Sequence, residues 1–90
     1  YIQYSEGFMR EFFIAFRSRS DAMRFYEELA TYRIPARIIN TPSSAGTGCG
    51  LSVKLLVKNL GQARAVLERM RLTSAIGFFY ITESGAARRM

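Results

Sequence analysis

The sequence predicts an α+β fold of the ferredoxin-like type, in which a four-stranded antiparallel sheet carries two helices on one face. Three observations lead to this prediction. Segments typical of strands and helices alternate in the order β-α-β-β-α-β. The second and third strand segments are joined by a loop of small residues, whereas the other connections contain segments with helical periodicity. A chain of 90 residues has room for one domain with one core.

The first strand and the first helix come before Pro35. Glu11 to Arg17 is an aromatic and β-branched run that is apolar on both faces, so both faces of this strand need cover. Ser18 with Asp21 three residues later resembles a capping box, and Ser20 is an equally good N-cap for the helix that follows. The helix ends before the proline, because a residue that precedes proline avoids helical backbone angles.

The remaining elements are three strands and one helix. The strands are predicted at Ala36 to Asn40, Leu51 to Val57 and Ala75 to Thr82, from their β-branched, aromatic or alternating composition. Asn59, with Gln62 three residues later, is expected to cap the second helix.

Three parts are expected along the chain. Residues 1–10 have no clear periodicity and are predicted to be an N-terminal extension or leader, with Met9 as a possible natural start. Residues 11–82 form the domain, and residues 83–90 form a basic C-terminal tail.

The charge balance and the absence of histidine limit the classes of function that we expect. The 13 basic and 7 acidic residues give a net charge of +6, but the basic residues are scattered, which favours a solvated basic surface and does not favour nucleic acid as a partner. The chain has no histidine, and this removes the commonest general base and the commonest metal ligand. With one cysteine and no histidine, we expect no metal site and no cofactor.

Apolar runs are far shorter than the roughly 18–20 residues of a membrane helix, so we expect no membrane association. A single cysteine cannot form a disulfide within the chain, and no secretory signal pattern opens the sequence. These features predict a protein of the reducing cytoplasm.

The loop from Thr41 to Gly50 carries the candidate functional atom. It holds the only cysteine, Cys49, between Gly48 and Gly50, together with a run of small hydroxyl residues. Such a loop allows close approach to its backbone and leaves a sulfur atom uncovered. Cys49 is therefore the candidate nucleophile.

The predicted topology brings the start of the third strand to the sheet end where the first strand finishes. Cys49 is then expected near the N-terminus of the first helix, beside Arg17, Ser18, Arg19 and Ser20. A helix N-terminus and guanidinium groups favour a thiolate and lower the pKa of a cysteine. The second helix would bring Arg71 to Ser74 to the same end.

Two other interpretations of this loop stay open. Cys49 can be a small buried apolar residue at the start of a strand, a common environment for a free cysteine. The glycine-rich run from Gly46 to Gly50 can also be a phosphate-binding loop, although such loops normally connect a strand to a helix.

The segment Ile38-Ile39-Asn40-Thr41-Pro42, followed by a Ser/Gly-rich loop and Cys49-Gly50-Leu51, resembles the selenium/sulfur carrier protein-like family of small bacterial domains. The first strand and the helix opened by Ser20-Asp21-Ala22 extend the resemblance, which covers roughly Phe12 to Ile81. The chain departs from the family in its arginine-rich composition and its aromatic N-terminal extension.

The resemblance implies a small cytoplasmic protein whose cysteine carries sulfur or selenium between a donor and an acceptor enzyme. It makes Cys49 the carrier, Gly50 the small residue beside it, and Thr41 and Pro42 loop-shaping residues. A cysteine desulfurase or a selenium-activating enzyme is then the expected donor. A carrier of this kind needs no acid-base residue, because a persulfide is transferred by direct attack of one thiolate on another protein's sulfur.

The alternative function is a binding or oligomerisation module that uses the open face of the sheet. Exposed Phe13 and Phe79 would stack RNA bases there, although the third strand has no aromatic residue to join them. An apolar open face would also serve as a subunit interface, so we expect a homodimer.

Overall fold

The structure of the protein is a computed structural model that describes residues 10–46 and 50–90. All but the last residue of the predicted N-terminal extension, 1–10, lie outside this part of the chain. Within the described ranges, neither helix has the length and hydrophobicity needed to cross a membrane.

Two helices pack with one antiparallel sheet of five strands, which confirms the α+β class. The elements are β1 (Glu11–Phe16), α1 (Arg19–Thr31), β2 (Ala36–Asn40), β3 (Leu51–Leu56), α2 (Leu60–Met70), β4 (Ala75–Ile81) and β5 (Ala87–Arg89). Short 3-10 turns occur at Ser43–Ala45 and Val57–Asn59. The strands lie in the order β2-β3-β1-β4-β5, and each neighbouring pair is antiparallel.

The predicted strand number, four, is wrong, because the C-terminal segment adds a fifth strand. Thr82 N–H donates to the Ala86 carbonyl at 2.8 Å, and Gly85 takes a positive φ of 91° in the turn between them. Glycine accepts this conformation without the steric penalty that a side chain would add. The chain therefore reverses after β4, and part of the predicted basic tail pairs with that strand as β5.

The central strand β1 is covered on both faces, as its composition predicts. Alternate side chains of a strand point to opposite faces. Phe12, Ile14 and Phe16 lie in the main core with side chains from both helices, whereas Phe13 and Ala15 lie in a second cluster on the other face. All five residues are fully buried.

The second cluster fills the sheet face that was expected to be open. Phe13 stacks on Phe79 with ring centroids 5.3 Å apart, and the Arg89 guanidinium lies 4.9 Å from the centre of the Phe79 ring. Partly buried side chains pack against this cluster: Ile39, Ala45, Ile76, Ile81 and Ala87. Because Phe13 and Phe79 are 0% and 2% exposed, the prediction that they offer a surface to RNA bases is wrong.

The N-terminal cap predicted from the sequence is found at α1 but not at α2. Ser18 is the N-cap of α1, and its hydroxyl accepts a hydrogen bond from the Asp21 backbone N–H at 3.2 Å. Asn59 occupies the N-cap position of α2, but its side chain makes no capping hydrogen bond. The prediction of a capping box with Gln62 is therefore wrong, because the preceding 3-10 turn runs directly into the helix.

Arg33 ends α1 in a left-handed conformation, with φ at 60°. Its N–H bonds to the Ala30 carbonyl at 2.9 Å, and the N–H of Ile34 bonds to the Leu29 carbonyl at 3.0 Å. This pair of bonds is the Schellman motif, in which glycine normally occupies the left-handed position. The helix therefore ends at Thr31, before Pro35 as predicted, but with Arg33 in a backbone conformation that costs free energy.

Candidate functional site

Three strands and a helix meet at the sheet end where the cysteine loop begins. Phe16, the last residue of β1, pairs with Leu51 at the start of β3 and with Ala75 at the start of β4. The Arg17 N–H donates to the Ser74 carbonyl at 3.0 Å, and α1 begins at Arg19. The relative positions of these described residues agree with the predicted topology.

Gly50 lies directly against the backbone of β1. A Cβ atom placed on this glycine would come within 2.5 Å of the Phe16 carbonyl oxygen, closer than real Cβ atoms approach other atoms. No side chain fits here unless the backbone moves, so glycine is required for packing at this position. The residue bonded to Cys49 is thus held beside the end of β1, immediately before the connection to α1.

Thr41 closes the base of the loop. Its N–H donates to the Gly50 carbonyl at 3.2 Å. Its hydroxyl is 2.7 Å from the hydroxyl of Ser52, which is fully buried in β3. A buried hydroxyl needs a partner, because an unsatisfied polar group is costly away from water. Sequence reasoning selected Thr41 but missed Ser52, although a serine in a mainly apolar strand is a signal that it has a polar partner.

The first half of the loop forms a turn that contacts β5. Pro42 precedes the 3-10 turn at Ser43–Ala45, and Gly46 ends that turn with φ at 72°. The Ser44 hydroxyl accepts a hydrogen bond from the Ala87 backbone N–H at 2.9 Å. This contact was not predicted, because it depends on a strand that the sequence did not reveal.

Two predicted site residues, Cys49 and Gly48, lie outside the described residues together with Thr47. Three predictions concern this segment: the exposure of the thiol, its distance from α1 and the alternative of a phosphate-binding loop. They stay predictions.

The four residues predicted to lie beside Cys49 at the start of α1 differ in solvent exposure and in hydrogen bonding. Arg17 and Arg19 are exposed to solvent. The Ser18 and Ser20 hydroxyls are 3.0 Å apart, and Ser18 is already engaged as the helix cap. Arg17, Arg19 and Ser20 are therefore the accessible residues of this set, whereas Ser18 has a structural role.

Asp21 adds a link that sequence reasoning missed. Its carboxylate accepts a hydrogen bond from the Ser74 hydroxyl at 2.7 Å and lies 3.7 Å from the Arg24 guanidinium. The Ser74 carbonyl also accepts a hydrogen bond from the Arg17 N–H. Ser74 therefore joins the end of β1 to the first turn of α1. This arrangement stabilises the helix N-terminus at the sheet end described above.

Among residues 10–46 and 50–90, no group of three or more carboxylate, thiol or imidazole side chains is arranged to hold a metal ion.

The comparisons with known proteins give one result. A family model described as "Putative Se/S carrier protein-like" matches residues 11–75, from the first residue of β1 to the first residue of β4. The comparison with curated proteins and the comparison with solved structures each found no match. Because the family model covers most of the chain, including the whole loop from Thr41 to Gly50, the chain belongs to the Se/S carrier protein-like family.

Proposed function

We propose that the protein carries a sulfur or selenium atom on Cys49 and transfers it between two protein partners. The observation that carries the proposal is the position of Gly50, which is bonded to Cys49 and packs against the Phe16 carbonyl at the end of β1. Membership of the carrier-like family supports the chemical class of the cargo.

The transfer needs only thiol chemistry. The Cys49 thiolate attacks the outer sulfur of a cysteine persulfide on the donor protein. A new sulfur–sulfur bond forms on Cys49, the sulfur–sulfur bond of the donor breaks, and the donor cysteine leaves as a thiolate. The acceptor's thiolate then takes the outer sulfur from Cys49 in the same way. A selenium atom held as a cysteine perselenide moves by the same two substitutions, and neither step needs an oxidant or reductant.

The environment proposed for Cys49 suits these steps. Attack requires the thiolate form of Cys49. A positive environment near a helix N-terminus raises the fraction of a cysteine that is thiolate at neutral pH. Exposed Arg17 and Arg19 flank the N-cap of α1, at the sheet end where Gly50 lies. The same charges would stabilise the anion of a loaded persulfide or perselenide.

Several finer assignments belong to this proposal. The partners are a sulfur or selenium donor, such as a cysteine desulfurase, and an acceptor enzyme, all in the cytoplasm. The order of β1 to β4 within the sheet, with two helices on one face, supports a ferredoxin-like unit to which β5 adds an edge strand.

Alkylation of Cys49 as a function of pH tests the proposal. In the native protein we expect fast alkylation with an apparent pKa below the usual value of about 8.5. The variant Arg19→Gln should raise that pKa, whereas Arg37→Gln, which removes an exposed charge near the start of β2, should leave it unchanged. If Cys49 reacts only after denaturant is added, the thiol is structural and the carrier function is wrong.

Self-association is a separate proposal. We expect a homodimer, since a domain of 90 residues buries a limited share of its surface on its own. Light scattering across a concentration series measures the mass. A mass equal to one chain at the highest working concentration would refute the dimer and leave the carrier function untouched.

A further inference from the structure

The C-terminal strand β5 makes a contact with the cysteine loop that its own sheet pairing does not use. Hydrogen-bonded and non-hydrogen-bonded pairs alternate along an antiparallel ladder. Thr82 N–H bonds to the Ala86 carbonyl, and Ala87 pairs with Ile81 at the next position. The Ala87 N–H therefore points away from β4, and it donates to the Ser44 hydroxyl at 2.9 Å.

Apolar packing reinforces this hydrogen bond. Ala45 from the loop turn and Ala87 from β5 both pack against the cluster of Phe13, Ala15 and Phe79. The turn and the strand are thus held on the same apolar surface, next to the hydrogen bond that joins them.

Arg89 holds β5 in place. Its guanidinium stacks over Phe79 and donates to the Ile76 carbonyl at 3.2 Å. A side chain at Gly77 would overlap the Arg89 guanidinium, so the glycine leaves the space that the arginine occupies. β5 is therefore anchored to β4 independently of the loop.

We propose that Ser44 is a positioning residue, through which β5 fixes the first half of the loop that carries Cys49. The inference rests on the proposed carrier function and extends it to a segment beyond residues 11–75, the part matched by the family model. The loop is held at its base by the Thr41–Gly50 hydrogen bond and at its turn by Ser44. Only residues 47–49 separate the end of the turn from Gly50, so the two hydrogen bonds hold the described ends of the segment that contains Cys49.

The test compares Ser44→Ala with Ser43→Ala in the full chain. Ser43 is the matched control, because it lies in the same turn, is also exposed and makes no side-chain hydrogen bond with the described residues. Hydrogen exchange of a peptide covering residues 41–50 should quicken about five- to tenfold in Ser44→Ala, the effect of losing one hydrogen bond. The apparent pKa of Cys49 alkylation should rise toward that of a free thiol. Ser44→Thr, which keeps the hydroxyl, should restore both.

A second variant acts on the donor side. Ala87→Pro removes the N–H that bonds Ser44 without removing a ladder hydrogen bond, because this N–H points away from β4. Its ring carbon takes the place of the N–H hydrogen and approaches the Ser44 oxygen, so it should quicken exchange of the loop and raise the apparent pKa of Cys49 alkylation at least as much as Ser44→Ala does.

The outcomes separate the inference from the carrier function. If Ser44→Ala behaves like Ser43→Ala, or exchange quickens while Cys49 alkylation keeps its rate and pH dependence, the positioning role is wrong. The carrier function then stands. If Ser44→Ala alters Cys49 alkylation but the native protein accepts no sulfur, the positioning role stands and the carrier function is wrong.

Discussion

Replacing Gly50 with alanine tests the close approach of β1 and β3 at the base of the cysteine loop. The added Cβ would lie 2.5 Å from the Phe16 carbonyl oxygen, and real Cβ contacts are essentially never shorter than 3.0 Å. The two strands would have to separate by about half an ångström, in a region where the β1 side chains are fully buried. Overpacking of this kind costs about 1–3 kcal/mol.

Gly61 is the matched control for this substitution. It lies in α2, is exposed, and has no atom within 4 Å of the position that a Cβ would take. Alanine should stabilise the helix there by about 0.5–1 kcal/mol, because glycine loses more backbone entropy than alanine in a helix. Both substitutions add one methyl group, but we expect Gly50→Ala to lower the free energy of unfolding and Gly61→Ala to raise it.

Thermal unfolding followed by circular dichroism measures both effects. For a domain of this size 1 kcal/mol shifts Tm by roughly 4–8 °C. Gly50→Ala should therefore lower Tm by roughly 4–24 °C, and Gly61→Ala should raise it by roughly 2–8 °C. A Gly50→Ala protein as stable as the native chain would refute the contact between Gly50 and β1, and with it the placement of the loop base.

Two further substitutions test the described contacts. Arg33→Gly should stabilise the protein by about 0.5–1 kcal/mol, because glycine adopts the left-handed conformation with less strain. The control Arg37→Gly, in β2, should destabilise the protein. If urea unfolding shows equal effects for the two variants, the helix end described here is wrong. Thr41→Val should cost about 1–3 kcal/mol, because it leaves the buried Ser52 hydroxyl without its partner. Thr41→Val with Ser52→Ala should recover most of that loss, and a double variant no more stable than Thr41→Val would show that the two hydroxyls are not coupled.

Most of the fold follows from local patterns in the sequence. The aromatic run of β1 predicts a central strand buried on both faces, and Phe12 to Phe16 are all fully buried. The alternation of Leu51, Val53 and Leu55 with polar residues predicts which face of β3 meets the helices, and these three residues lie in the main core.

The features that were missed depend on contacts between distant parts of the chain. β5 is short and contains two arginines, so its composition does not indicate a strand. Its pairing depends on the turn at Gly85 and on the stacking of Arg89 over Phe79. The sequence Ser84-Gly85 after a strand is the one local signal for this reversal, because a glycine near the end of a short loop is typical of hairpins.

The candidate site was predicted in part. The meeting of Phe16, Gly50 and Ser74 at one sheet end follows from the connectivity of the strands, and the described contacts agree with it. The hydrogen bonds from Thr41 to Ser52 and from Ala87 to Ser44 join residues far apart in sequence. No local pattern predicts such pairs, because they depend on the exact register of the strands.

Sulfur uptake and release by Cys49 tests the central claim most directly. The reduced protein is incubated with a cysteine desulfurase and cysteine, and its intact mass and cyanide-releasable sulfur are measured before and after a thiol acceptor is added. We expect a gain of one sulfur atom per chain in the native protein, its loss to the acceptor, and no gain in Cys49→Ser. A native protein that gains no more sulfur than Cys49→Ser would contradict the carrier function.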